Sequence, residues 1–313
     1  MPLSDPEIST QILTSRDFDV VDYADRYSAL ADRLGLDLSN ILFALAAIPL
    51  CLRGAAHEQQ RSQIARMIAA RQPETLAALP QIVRRSFAGL HAPGRHDILN
   101  EAIIPAVDGT LSVMLQVPLD LTGDVMVSRI FSQAIGVAKR KRLDAELAGL
   151  RARFRAGFPD EGAQTTGMRI ALTILGRDAL IGTLGCTLHD HFAALAGRAA
   201  TARACPHMPT RTGVPYIDRT ALQTTQVAGA PVQAGETLRV RLDAYETRDT
   251  RQDQMKFFGA GAHTCLGRPV SLALWAAVAQ EISQIARPVR VVAFTERKDD
   301  VFRLPSEFIV EID

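Results

Sequence analysis

Along the first two-thirds of the chain, apolar residues recur at helical spacing. Alanine- and leucine-rich segments of this kind cover 24–48, 55–70, 97–116, 125–155 and 166–198, and the spacing predicts helices there. Gly/Pro punctuation in HAPGRHD (91–97) and GFPDEG (157–162) separates them. The run ILFALAAIPLCL (41–52) is too short to span a bilayer and contains Pro49, so it reads as a buried helix that stops near that proline. From about residue 205 the texture changes to prolines, glycines and short alternations such as TLRVRL, which predict strands joined by turns. Helical spacing returns at Pro269, which suits a first helical position, and Val270, Leu274, Val278, Ile282 and Ile285 make one stripe that ends before Pro288. VRVVAF and EFIVEI then predict closing strands. The expected fold class is mainly α with small β-sheets (α+β). With no repeat or linker in view, residues 1–313 read as one domain, helix-rich over 1–204 and strand-rich over 205–313.

Composition narrows the picture. Of the 313 residues 47% are hydrophobic and 22% charged, which suits a globular chain with a sizeable core. A net charge of +1 gives no nucleic-acid signature, and no segment predicts a membrane span. MPLSDPEISTQIL has neither a basic nor an apolar leader region, so no signal peptide is expected. Cys51, Cys186, Cys205 and Cys265 lie far apart without a CxxC pair, so reduced thiols and a cytoplasmic location are expected. KRKRLD (139–144) reads as a solvated helix turn, with partner docking as the alternative. In HDH (189–191) the i, i+2 spacing on a helix points the two histidines apart. Cys205, His207 and Trp275 read as structural.

The chemistry is concentrated in FFGAGAHTCLGRP (257–269). A cysteine that binds metal does so as a thiolate, which needs stabilising. Gly259 and Gly261 permit tight backbone geometry and close approach of a flat ligand. Backbone N–H groups around the sulfur, and the positive end of a helix starting near 267, would favour the anion and tune a bound iron. His263 could donate to an acidic group on the ligand's edge, and Phe258 could shield the sulfur.

Phe258, Gly261, His263, Cys265 and Gly267 match the heme-binding signature FxxGxHxCxG at every defined position, and in this the chain resembles the cytochrome P-450 family. The resemblance implies a P-450-like fold, heme b (iron protoporphyrin IX) as cofactor and Cys265 as the iron ligand. It also implies propionate-binding roles for His57 and Arg61 of HEQQR, one helical turn apart, and for Arg219 of GVPYIDRTAL. AGETLRVRLDAYETRD and the C-terminal DDVFRLPSEFIVEI resemble the segment before the heme loop and the closing strands.

Three departures bear on mechanism. In ILGRDALIGTLG, Gly176 and Asp178 match the family's distal helix, but Ala179 stands where a threonine is usual. Ala179 has no hydroxyl to hold a proton-delivering water, Gly176 leaves room for a diatomic ligand if the helix is locally irregular, and Asp178 reads equally as an acid/base group or a surface carboxylate. Second, the Glu-x-x-Arg of the family is missing from its expected place, RAATARACPHMPT; EQQR (58–61) and ETLR (236–239) have the letters in the wrong context. Third, the chain is short for the family, trimmed at the N-terminus and in the middle, so the pocket is open or completed by a second subunit.

The resemblance implies oxidation of a small organic molecule, with electrons from a ferredoxin-type donor docking near Lys256 and Arg268. Ala179 keeps two alternatives open: a peroxide-driven or non-oxidative heme enzyme (isomerase, dehydratase or N–O chemistry), and a non-catalytic heme-binding or sensor protein.

Overall fold

The computed structural model describes residues 5–119, 121, 127–132, 134–298 and 301–313, the side chains of 202 and 298 excepted. In chain order the elements run α1 (Pro6–Thr14), β1 (Phe18–Val20), α2 (Tyr23–Leu34), α3 (Ser39–Leu45), α4 (Gly54–Phe87), β2 (Gly94–Asp97), α5 (Ile104–Leu115), α6 (Val137–Gly157) and α7 (Ala163–Leu195). The rest are β3 (Tyr216–Ala221), β4 (Thr225–Val227), β5 (Ala230–Val232), β6 (Thr237–Arg241), α8 (Arg251–Gln254), α9 (Arg268–Ile282), β7 (Val289–Lys298) and β8 (Arg303–Ile312). Helix dominates and the sheets are small and antiparallel, as the hydrophobic pattern predicts.

The helices differ from expectation where local chemistry overrides the apolar pattern. The 24–48 stretch splits at Gly35, whose left-handed backbone (φ 58°) closes α2. The apolar run stops at Leu45, and Pro49 opens a short 3-10 turn instead. α4 continues far beyond residue 70 through Pro73 and Pro80. An internal proline costs a helix about 3 kcal/mol, and the buried stripe of Leu79, Ile82, Val83 and Phe87 offsets that.

The chain groups into two compact units. One comprises Met1–Met67, Thr122–Leu175 and Pro215–Cys265; the other comprises Ile68–Leu121, Gly176–Val214 and Leu266–Asp313. In the first, β3 is the central strand between β1 and β6, with Arg219 opposite Val20 on one side and Leu238 on the other. At the N-terminus of α3 the N-cap Leu38 carries no acceptor, and Asp37 Oδ1 takes only Ser39 N (3.0 Å). Asp144 of α6 supplies a further acceptor: its buried carboxylate accepts from Asn40 N (3.0 Å), Ile41 N (2.9 Å) and Asn40 Nδ2 (3.0 Å).

In the second unit, β8 lies between β2 and β7, and Trp275, Phe308 and Phe192 are fully buried. Backbone meets backbone at two glycines. A Cβ on Gly182 would lie 2.0 Å from the Arg303 carbonyl oxygen, and one on Gly213 would lie 2.2 Å from that of Ala179. Gly213 N also donates to Thr183 Oγ1 (2.9 Å). Among the described residues α7 alone is long and apolar enough to cross a membrane, and 83% of its most apolar window is buried, as in a core helix.

Asp144→Ala removes three hydrogen bonds to a charged acceptor and should lower stability by about 2–4 kcal/mol in urea denaturation. A loss below about 0.5 kcal/mol would mean that α3 is satisfied by other groups.

Candidate functional site

Four basic side chains converge within the first unit. His57 and Arg61 lie one turn apart on α4, Arg219 sits in the central strand β3, and His263 is on the glycine-rich loop that precedes Cys265. The rings of His57 and His263 lie 4.3 Å apart, tilted by 39°. His57 and Arg219 are buried, 7% and 5% exposed. Three of their nitrogens are buried without a hydrogen-bond partner among the described residues: His57 Nε2, His263 Nδ1 and Arg219 Nη2.

Each unmet nitrogen has a positional cause. Pairing on both sides fixes the backbone of Arg219, while its Nη1 donates to the Asp218 carbonyl (3.0 Å). Arg61 Nη2 donates to the Thr264 carbonyl (2.6 Å), tying α4 to the loop one residue before Cys265. Gly259 (φ 84°) and Gly261 (φ 65°) take left-handed backbone that favours glycine, and a Cβ on Gly261 would meet the Leu13 carbonyl of α1 at 2.8 Å. Cys265 N donates to Phe258 O (2.8 Å), closing the collar, and the rings of Phe257 and Phe258 touch at 4.6 Å. Cys265 itself is exposed.

The electrostatics follow from burial among like charges. Burial pulls His263 down to about 3, with Arg219, His57 and Arg61 adding to the shift. His57 is lowered by burial and by Arg61. Burial lowers Arg219 to about 10, against the opposing pull of Asp19, Tyr23 and Asp218. Arg61 is lowered by burial, with the Cys265 sulfur opposing. Such a cluster calls for an anion, and for one with more than one oxygen.

The remaining predicted residues belong to the second unit. Gly267 precedes α9, and its carbonyl accepts from Ser271 N (2.9 Å) and Ser271 Oγ (3.1 Å). Gly176, Asp178 and Ala179 lie on α7, which runs as an unbroken α-helix through them, so the irregularity expected there is not present. The space at Gly176 is taken by packing: a Cβ there would lie 3.3 Å from Leu111 Cδ2 of α5. Asp178 is not a surface carboxylate. It is buried, 3.6 Å from Arg177 Nη1.

Arg177 and Asp108 were not singled out in the sequence, yet they form a buried two-pronged ion pair, Nε to Oδ1 at 2.7 Å and Nη2 to Oδ2 at 2.9 Å. The signal was an arginine inside the apolar run ALTILGRDALIGTLG, where a buried cation must find a partner. In the two Glu-x-x-Arg tetrads, Arg61 bonds Thr264, Arg239 pairs with Asp218 (2.9 Å), and Glu236 accepts from Gln233 N. In the stretch where that motif was expected, Trp275 Nε1 donates to the Pro206 carbonyl (2.8 Å).

No protein-family model and no curated protein matches the chain. Solved structures do. P450BioI in complex with an acyl carrier protein ligated to hexadec-9Z-enoic acid is 15% identical with a TM-score of 0.71, covering 99% of this chain and 91% of that one. Cytochrome P450-153 from Novosphingobium aromaticivorans is 14% identical with a TM-score of 0.72, covering 99% and 89%. The tirandamycin C-bound P450 monooxygenase TamI is 16% identical with a TM-score of 0.72, covering 98% and 88%. The chain therefore has the cytochrome P450 fold.

That fold implies a heme, and the first unit's residues fit one. Three buried nitrogens without partners in one basic cluster match the carboxylates of a heme edge, and Cys265 follows His263 by two residues on a collar whose glycines leave the backbone uncovered.

The apoprotein should lose stability on mild acidification. An unfolded histidine takes up its proton near 6.5, whereas folded His263 resists protonation down to about 3. Between those values protons favour the unfolded chain. His263→Gln should therefore show a smaller fall in Tm from about pH 7 to about pH 4.5 than the parent protein. Equal falls would mean that the His263 ring does not govern this acid limb.

Proposed function

We propose that the protein is a P-450-type heme-thiolate oxidoreductase that acts on a small organic molecule. The cluster of unmet, buried basic nitrogens beside the Cys265 collar carries this reading. When bound, a heme b held by a thiolate would supply electron-rich iron suited to oxidation of an organic substrate.

The chain's own residues have separable roles in it. Cys265, held by its N–H to Phe258 O, would be the thiolate ligand, with Phe258 limiting water at the sulfur. Arg219, Arg61, His57 and His263 would hold the two propionates; an anion there would satisfy the open nitrogens and raise both histidine pKa values toward their ordinary range. Gly261 keeps the collar close to α1, and Gly267 opens α9. On α7, Asp178 would be the acid/base group, with Gly176 and Ala179 as its catalytic neighbours in the helix. A small-molecule substrate, a soluble cytoplasmic setting and a ferredoxin-type electron donor complete the proposal. The compared structures that hold a fatty acyl chain on its carrier, or tirandamycin C, are consistent with a substrate of that broad class.

One observation favours a second reading. Ala179 offers no hydroxyl, the Thr183 hydroxyl oxygen is engaged by Gly213 N, and Asp178 lies against Arg177, itself clamped by Asp108. Proton delivery along this helix is thus poorly provided for, which suits a peroxide-driven or non-oxidative heme enzyme.

The test is the optical spectrum of heme-reconstituted protein, oxidised and then reduced under carbon monoxide. A red-shifted thiolate-type Soret band, lost in Cys265→Ser, is expected. Arg219→Met should weaken heme retention by about ten- to a hundredfold, the effect of losing one charge-assisted contact. A histidine-type spectrum, or none, would sink the assignment. Turnover of a model substrate with peroxide but not with ferredoxin and reductase would select the second reading.

A further inference from the structure

Helix α6 carries a strong charge bias. Its 21 residues hold seven cations, Lys139, Arg140, Lys141, Arg142, Arg151, Arg153 and Arg155, against Asp144 and Glu146. The helix is therefore +5, while the rest of the chain, with 28 cations and 32 acids, is −4. Four of the cations crowd the first two turns, where the helix dipole opposes positive charge, and the N-cap Gly136 gives no side-chain hydrogen bond.

Internal contacts account for part of the set only. Arg140 donates to the Ile135 carbonyl and lies over the Tyr27 ring, Arg151 stacks on Phe43 at 3.9 Å, and Arg142 pairs with Glu146. Asp144 is spent on the N-terminus of α3. Lys139, Lys141 and Arg155 are exposed and have no ion-pair partner among the described residues.

The outward arc has a shape as well as a sign. Leu143, Leu147, Leu150 and Phe154 face the core. On the opposite side Ala138, Ala145, Gly149, Ala152 and Ala156 are exposed and follow one another at helical spacing. At 100° per residue, Lys141 and Arg155 flank this strip on one side, and Arg142, Arg153 and Lys139 on the other. A strip of small residues lets a second helix come close, and flanking cations then reach its carboxylates.

We propose that this arc of α6 docks an acidic protein that presents a carboxylate-rich helix. The chemistry argues against other polyanions. Interfacial membrane helices bury bulky Trp, Phe or Leu, whereas this strip is Ala and Gly. A long nucleic acid would also meet the net negative charge of the other residues. The inference does not depend on the heme assignment.

The test uses the full chain and a fluorescein-labelled acidic helical peptide of roughly 20 residues, rich in glutamate and alanine, read by anisotropy. Binding is expected at about 20 mM salt and should weaken about tenfold by about 200 mM. Lys139→Glu/Lys141→Glu/Arg155→Glu should weaken it at least about tenfold, with far-UV circular dichroism unchanged. Gly149→Glu is a second variant, since its side chain enters open space with no atom within 4 Å; it should weaken binding too. Binding by both variants within about twofold of the parent would overturn the proposal. So would tighter binding of duplex DNA or of phosphatidylglycerol vesicles than of the peptide.

Discussion

The structure depends on one electrostatic demand: four basic side chains are brought together in a largely buried setting, and three of their nitrogens have no acceptor among the described residues. Leaving a buried donor unmet costs about 1–3 kcal/mol. The fold accepts that cost because each member is fixed for another reason, Arg219 by pairing on both sides of β3 and Arg61 by its bond to the Thr264 carbonyl. Burial and the neighbouring cations pull both histidines toward the neutral form, which keeps their tilted rings compatible with the nearby guanidinium groups. The left-handed glycines of the collar belong to the same arrangement, since they bring His263 to His57 without a side chain in the way.

The stretch of α7 around Asp178 differs in that charges of opposite sign lie together. Arg177 is clamped by Asp108, Asp178 lies beside Arg177, and Thr183 is bonded to Gly213. A buried ion pair is weak evidence for stability, because desolvation offsets much of its attraction. Its geometric effect is firmer: it fixes which way the charged groups on this helix can turn. One unit thus carries an unmet demand for an anion, and the other carries polar groups with little freedom to move.

Much of the fold was legible because long apolar periodicities leave little choice. The stripe from Val270 to Ile282 and the alternation in β6–β8 appear where the pattern put them. The boundaries were less legible. Pro73 and Pro80 spell termination locally, yet burial of Leu79, Ile82 and Val83 carries α4 through them. Gly35 instead cuts a stretch that looked continuous, and the helix expected to stop near Pro49 already ends at Leu45. At the site, fixed spacing made His263 and Cys265 readable together, but only three-dimensional pairing reveals that Asp108 holds Arg177, 69 positions away. Gly176 shows the limit in reverse: the letter matched, while the space it leaves belongs to Leu111.

The contact between Gly261 and the Leu13 carbonyl has a consequence for how the protein is made. The two positions are far apart in sequence, and the collar packs against α1, which is synthesised well before it. Contacts of such separation form late, after the intervening chain has paid its loop-closure entropy. α1 must therefore wait with its docking face uncovered while the loop that meets it is still unmade. During that interval the nascent chain has only the beginnings of a binding site, so capture of any cofactor there must follow synthesis of the collar.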